Sequence, residues 1–181
     1  MTRDSRHGDK GLEIGRKTME PIKDFIEDAP RSMLSQYDGG LRSPMMVRWK
    51  GTIAPRMDDN TLASSIDFAP AILKACGVPI PPQMQGVDLL DGAALQFRNT
   101  VHGECYTHDM MDFETPANSL RWRWVIEGFQ KLIPPHARNE PEAKVELYNL
   151  KNDPYEEHNL AAENPLDMER LSKSMNARWN P

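Results

Sequence analysis

The sequence predicts an α+β fold, in which a small antiparallel sheet with a last helix packed across it follows a strand-loop-helix unit. Three observations carry this expectation. After residue 99, short strand-like runs succeed one another; the clearest is Arg121–Ile126, which alternates and places Trp122 and Trp124 on one face. Near the C-terminus Met168, Leu171, Met175 and Trp179 recur at helical spacing. Between residues 44 and 80 an apolar run, a polar loop and an amphipathic helix follow in order.

Taken along the chain, residues 1–11 are polar. Met19, Ile22, Phe25 and Ile26 then predict one short helix over Thr18–Asp28, which Ala29-Pro30 ends. Met45–Trp49 reads as a buried strand leaving the glycine turn Tyr37-Asp38-Gly39-Gly40. Asp67 is placed to cap a helix with Pro70 in its first turn and with Phe68, Ile72, Leu73 and Cys76 as its apolar face. Gly77 sits where a left-handed C-cap belongs. Residues 78–90 read as an extended loop. Strands are expected at Thr100–Tyr106, Arg121–Ile126, Gln130–Ile133 and Val145–Leu150, with Gly128 turning a hairpin. Asn164 can cap the last helix, with Pro165 at its first position.

Composition narrows the function classes. The chain has 181 residues, 15 of them proline, so one domain with many loops is expected. A net charge of −5 with no basic stripe argues against nucleic acid as a partner. No run approaches the ~18 apolar residues of a membrane span. The first ten residues lack the apolar core of an export signal, so the chain as written is expected to stay in the cytoplasm. Cys76 and Cys105 make neither a disulfide framework nor a metal knot.

His102-Gly103-Glu104-Cys105 is the most chemical-looking stretch. On a strand, His102 and Glu104 share a face. The pair reads either as a strand end with a partly exposed histidine or, with His108, as a substrate-facing group. A His-x-Glu pair also opens the zinc deaminase signature, but neither cysteine has the Pro-Cys-x-x-Cys context that must follow. Asp58-Asp59 reads as a solvated loop pair rather than a cation site. In Asp153-Pro154-Tyr155-Glu156-Glu157-His158, Asp153, Pro154 and Asn159 are expected to shape a turn, the glutamates to be solvated, and Leu160 to dock on the core. Ser35, Ser64 and Ser65 have no nucleophile-elbow context. The residues alone show no complete catalytic set.

The order of motifs resembles the sulfatase family of the alkaline-phosphatase-like superfamily. Tyr37-Asp38-Gly39-Gly40-Leu41-Arg42-Ser43-Pro44 and Val47-Arg48-Trp49-Lys50-Gly51 are similar to the family's glycine turn and Trp-Pro-Gly strand end, with Lys50 in place of proline. Ser64-Ser65-Ile66-Asp67-Phe68-Ala69-Pro70-Ala71-Ile72-Leu73 resembles its Ser-x-x-Asp-Leu-x-Pro helix. Gln85-Gly86-Val87-Asp88-Leu89-Leu90 resembles its Gly-x-Ser/Asp-Leu loop. Glu146–Leu150 with Asp153-Pro154-x-Glu156-x-x-Asn159-Leu160 resembles its closing motif.

The resemblance implies the C-terminal portion of an alkaline-phosphatase-like α/β fold, in three segments. These are residues 1–30 (a remnant with one helix), 31–98 (a strand-loop-helix remnant of the main sheet) and 99–181 (the antiparallel-sheet subdomain with the final helix). It implies hydrolysis of sulfate esters or sulfamates on sugars or aryl groups by a formylglycine nucleophile with calcium. Relatives are commonly periplasmic, secreted or lysosomal. The family's sulfate-reaching lysine falls at Met33, which can neither donate a hydrogen bond nor offset an anion's charge. The Cys/Ser-x-Pro-x-Arg nucleophile motif occurs nowhere in the sequence, and the calcium-binding acidic pairs have no counterpart. The chain resembles a family member that passes from the Thr18–Asp28 helix straight to the glycine turn, a central block having been lost. No catalytic residue, metal ligand or resident cofactor is therefore expected in the chain. His102, Glu104 and His108 are the candidates for binding a sulfated carbohydrate or aryl sulfate. The alternative is a non-catalytic remnant or interaction module that self-associates through Met45–Trp49 and the Phe68–Cys76 helix.

Overall fold

The computed structural model describes residues 35–58, 60–107 and 114–181. The expected Thr18–Asp28 helix, Met33 and His108 lie outside the described residues. The chain divides into two compact units, Met1–Arg42 and Ser43–Pro181.

The described part of the first unit holds one helical turn, α1 (Asp38–Leu41). The Gly40 and Leu41 N–H groups donate to the Tyr37 carbonyl at 2.9 and 3.0 Å. Neither Gly39 nor Gly40 lies at positive φ. The backbone of this turn is therefore one that any residue can adopt.

In the second unit a 3-10 turn (Ser65–Asp67) runs into α2 (Phe68–Ala75). A long loop and α3 (Gly92–Gln96) then lead to β1 (Thr100–Tyr106). After a 3-10 turn at Pro116–Ser119 come β2 (Leu120–Glu127), β3 (Gln130–Ile133) and β4 (Glu146–Asn149). The last element is α4 (Pro165–Arg178). The four strands form one antiparallel sheet, as the sequence pattern predicts, in the order β1-β2-β3-β4.

Register explains the core. Val125 lies opposite Leu132, and Leu132 opposite Leu147, so one row crosses three strands. All three are fully buried, under Leu171 and Met175 of α4, four residues apart on one helix face. Each such buried side chain contributes about 1.5–3 kcal/mol. Leu160 packs against this cluster, as expected. The β2–β3 hairpin turns through Gly128-Phe129, with φ of +58° at Gly128, a conformation that favours glycine. Gly77 ends α2 at φ +70°, with Val78 N–H on the Leu73 carbonyl at 2.8 Å and Gly77 N–H on the Lys74 carbonyl at 3.0 Å, a Schellman pair.

The sheet's other face is built differently. Trp124 lies across Gly103 of the neighbouring strand, where a Cβ would fall 2.3 Å from the indole. Beside it Lys131 is fully buried, its Nζ 2.7 Å from Oε1 of Glu156, which is 1% exposed. This corrects the expectation of solvated glutamates: Glu157 is exposed, but Glu156 turns inward at φ +58°. The strain of that left-handed residue is offset by neutralising a buried ammonium.

Two further expectations are corrected. Met45–Trp49 forms no ladder with the described residues and is exposed, Met46 at 89%. A strand needs a neighbour for its N–H and C=O groups, and this segment pairs with none of the four strands of the described sheet. Asn164 does not cap α4 through its side chain, whose Nδ2 lies instead 3.4 Å from the Leu160 carbonyl.

The buried ion pair yields a test in urea denaturation. Lys131→Met alone should cost about 3–5 kcal/mol, because it strands a buried carboxylate. Adding Glu156→Gln should recover much of that loss. Equal stability of Lys131→Met and the parent chain would contradict the arrangement.

Candidate functional site

Two of the motifs meet at Asp67. Its carboxylate is fully buried and accepts from Ser64 N–H at 2.7 Å and Val87 N–H at 2.8 Å. The Arg98 guanidinium grips both oxygens, with Nη2 2.8 Å from Oδ1. Asp67 therefore ties loop 64–67 to loop 85–87 and to the entry of β1; its side chain makes no cap bond to α2. Gly86 makes the approach possible, since a Cβ there would fall 2.1 Å from the Ile66 carbonyl oxygen. Sequence reading found Asp67 and Gly86 but missed Arg98, which lies 31 residues from Asp67 and in no motif.

This tie sets one wall beside β1. His102 pairs with Val125 and Glu104 with Arg123, so both stand on the face that α4 covers. Cys105 points to the opposite face. The tetrapeptide 102–105 thus does not converge as a zinc site would require. Arg123 donates to the Trp179 carbonyl at 2.7 Å and to Asn176 Oδ1 at 3.1 Å. Its charge offsets the negative end of α4.

His102 is half-buried, and its Nε2 is enclosed without a hydrogen-bond partner among the described residues. Burial, and secondarily the Arg178 cation, hold its pKa below the ordinary 6.5. The imidazole is therefore neutral at pH 7. It lines a cavity of about 40 Å³ with Ser64, Gln85, Arg98 and Arg178. A larger open groove of about 390 Å³, lined by Ile66, Ala69, Met84, Gln85 and Arg178, adjoins it. Neither Arg178 nor Gln85 was singled out by the motif reading as a site residue.

Residues 31–180 match the family of N-sulphoglucosamine sulphohydrolase C-terminal regions. The chain belongs to the sulfatase family. The sulfatase match extends to curated relatives in Formosa agariphila. An ulvan-active sulfatase is 29% identical over 164 residues, covering 76% of this chain and 33% of the relative. A second protein, named simply sulfatase, is 33% identical over 139 residues, covering 71% of this chain and 24% of the relative. The chain thus spans a quarter to a third of these sulfatases. A solved Bacteroides thetaiotaomicron structure, described in connection with the metabolism of multiple glycosaminoglycans, superposes with a TM-score of 0.53 at 25% identity. It covers 68% of this chain and 28% of that one. The α+β unit is accordingly the C-terminal portion of an alkaline-phosphatase-like fold, as the motif order implied.

Among the described residues, none fit the sulfatase family's calcium or its formylglycine. Among the described residues, only Asp153, Glu157 and His158 bring three ligand atoms within 4.8 Å of one another. Asp153 already accepts from the Glu157 and His158 N–H groups at 3.0 and 2.9 Å. Both oxygens of Asp58 are engaged by Asn60 and Thr61. Cys76 caps a helix and Cys105 lies in a strand; neither has the x-Pro-x-Arg sequence that oxidation to formylglycine requires. No reaction step is routed through either group. Among the described residues, no helix is long and apolar enough to cross a membrane.

Two outcomes test this site. Gly86→Ala should destabilise the chain by about 1–3 kcal/mol in thermal unfolding, because the new methyl meets backbone rather than a movable side chain. A depressed His102 pKa means that the unfolded state takes up its proton first. Stability from this residue is complete above about pH 6.5 and is lost as pH falls through the lower folded pKa. His102→Gln should flatten that decline, and an NMR titration should place His102 below a free histidine.

Proposed function

We propose that this chain is the C-terminal part of a sulfatase-like hydrolase whose whole form cleaves sulfate esters or sulfamates on sugars or aryl groups. The chain supplies scaffold and pocket wall and carries no reacting atoms of its own. The observation that supports this reading most directly is the use to which the motifs are put. Asp67, Asp153 and Asn159 all spend their side chains on backbone groups or a buried arginine. None is left to hold a metal or attack sulfur. His102 and Glu104, on one face of β1, are the groups assigned to a sulfated ligand, with His108 a third.

The purified chain should release no sulfate from an aryl sulfate, with or without added calcium. Release that EDTA abolishes would overturn the proposal.

A second reading, an interaction module, is favoured by one observation. Met46, Val47, Ile72 and Trp49 are 89%, 51%, 60% and 40% exposed. Exposed large apolar side chains favour association. Sedimentation should then show concentration-dependent self-association that Met46→Ser with Val47→Ser weakens; a monomer at all concentrations would dismiss it.

A further inference from the structure

We propose that the cavity framed by Ser64, Gln85, His102 and Arg178 is a pocket for a tetrahedral oxyanion, and that the adjoining groove takes the sugar-sized body that carries it. This deepens the pocket-wall reading above and rests on it for the ligand class, but it does not depend on where the hydrolysis occurs.

The lining argues for an anion. Two arginines and no carboxylate face the cavity. Asp67 lies behind Arg98, with both its oxygens already engaged. Arg98 is therefore neutralised, and Arg178 supplies the uncompensated charge: among the described residues it has no ion-pair or hydrogen-bond partner. Ser64 Oγ and the Gln85 amide are neutral donors of the kind that complete an oxyanion's shell. The enclosed Nε2 of His102 is a buried polar atom without a mate, which is costly unless something fills the space beside it. In the tautomer protonated at Nε2, this atom is one more donor. The size also fits. About 40 Å³ exceeds the ~10–15 Å³ that one water needs by the same measure, and leaves room for a compact four-oxygen group.

The second observation is the continuity of the two spaces. Ile66, Gln85 and Arg178 line both the cavity and the groove of about 390 Å³. The groove adds Ala69 and Met84, whose apolar surfaces suit the C–H face of a pyranose. A ligand with a charged head and a flat, mostly apolar body would fill both, with Arg178 at the joint. Sulfate and phosphate share the head chemistry.

The test uses the full chain and follows His102 imidazole resonances by NMR. Inorganic sulfate, inorganic phosphate, glucosamine 6-sulfate and unsulfated glucosamine are titrated separately against chloride at matched ionic strength. Sulfate should shift His102 and raise its pKa, glucosamine 6-sulfate should bind more tightly than sulfate alone, and glucosamine should do neither. Arg178→Ala, at an exposed helix end, should keep the fold and weaken binding by roughly tenfold or more; Arg178→Lys should restore part of it. No shift beyond the chloride control, or an Arg178→Ala chain that binds unchanged, would overturn the pocket. Equal binding of sulfate and glucosamine 6-sulfate would overturn the role of the groove, and a strong preference for phosphate would overturn the sulfated-sugar assignment. The readout is binding without turnover, so a failed activity assay leaves it intact and a failed titration leaves the family membership intact.

Discussion

Four donors converge on one carboxylate with no access to water. Burying the Asp67 carboxylate would be costly without Arg98 and the two backbone N–H groups that face it. Hydrogen bonds to a charged group contribute about 1.5–3 kcal/mol each, and breaking such a pair leaves an uncompensated charge. The tie is also what gives the loops around it a defined position. Loop 64–67, loop 85–87 and the start of β1 have no ladder in common, yet each contributes a group to this centre. The wall beside His102 exists because these segments are held at one point.

The legible parts of the fold were those governed by a local period. β1 and β3 were read to the residue, because a short apolar-bearing run bounded by turn residues is written in consecutive side chains. The face of α4 was equally plain from Leu171 and Met175. Met45–Trp49 misled for a physical reason: an apolar run signals a strand only if a partner pairs with it, and pairing is non-local. α3 went unread because its signal is one capping residue, Asp91, whose carboxylate accepts from Ala93 and Ala94 N–H at 3.0 Å.

The candidate site was less legible than the fold. His102 and Glu104 stood out by type, and the alternation of β1 put them on one face as read. The groups that give His102 its surroundings come from elsewhere. Arg98 and Arg178 are ordinary arginines until the chain folds. Glu156 shows the same limit: beside Glu157 and His158 it looks like part of a solvated turn, and only a left-handed backbone carries it under the sheet to Lys131. Motifs that resemble catalytic sets in the sequence serve here as joinery. Asn159, for example, accepts from Leu147 N–H at 3.1 Å while its amide donates to the Val145 carbonyl at the same distance.

That asparagine, the Leu160 N–H bond to the Leu147 carbonyl at 2.8 Å and the Lys131–Glu156 pair together fasten the segment after β4 to two strands at once. Such a segment has no inexpensive way to fray. Residues 145–161, which include β4, and the neighbouring β3 should behave as one cooperative opening unit, in which amide hydrogens far apart in sequence become accessible together. The C-terminal tail of this small sheet is thus less an appendage than a clasp, released only when the sheet itself comes apart.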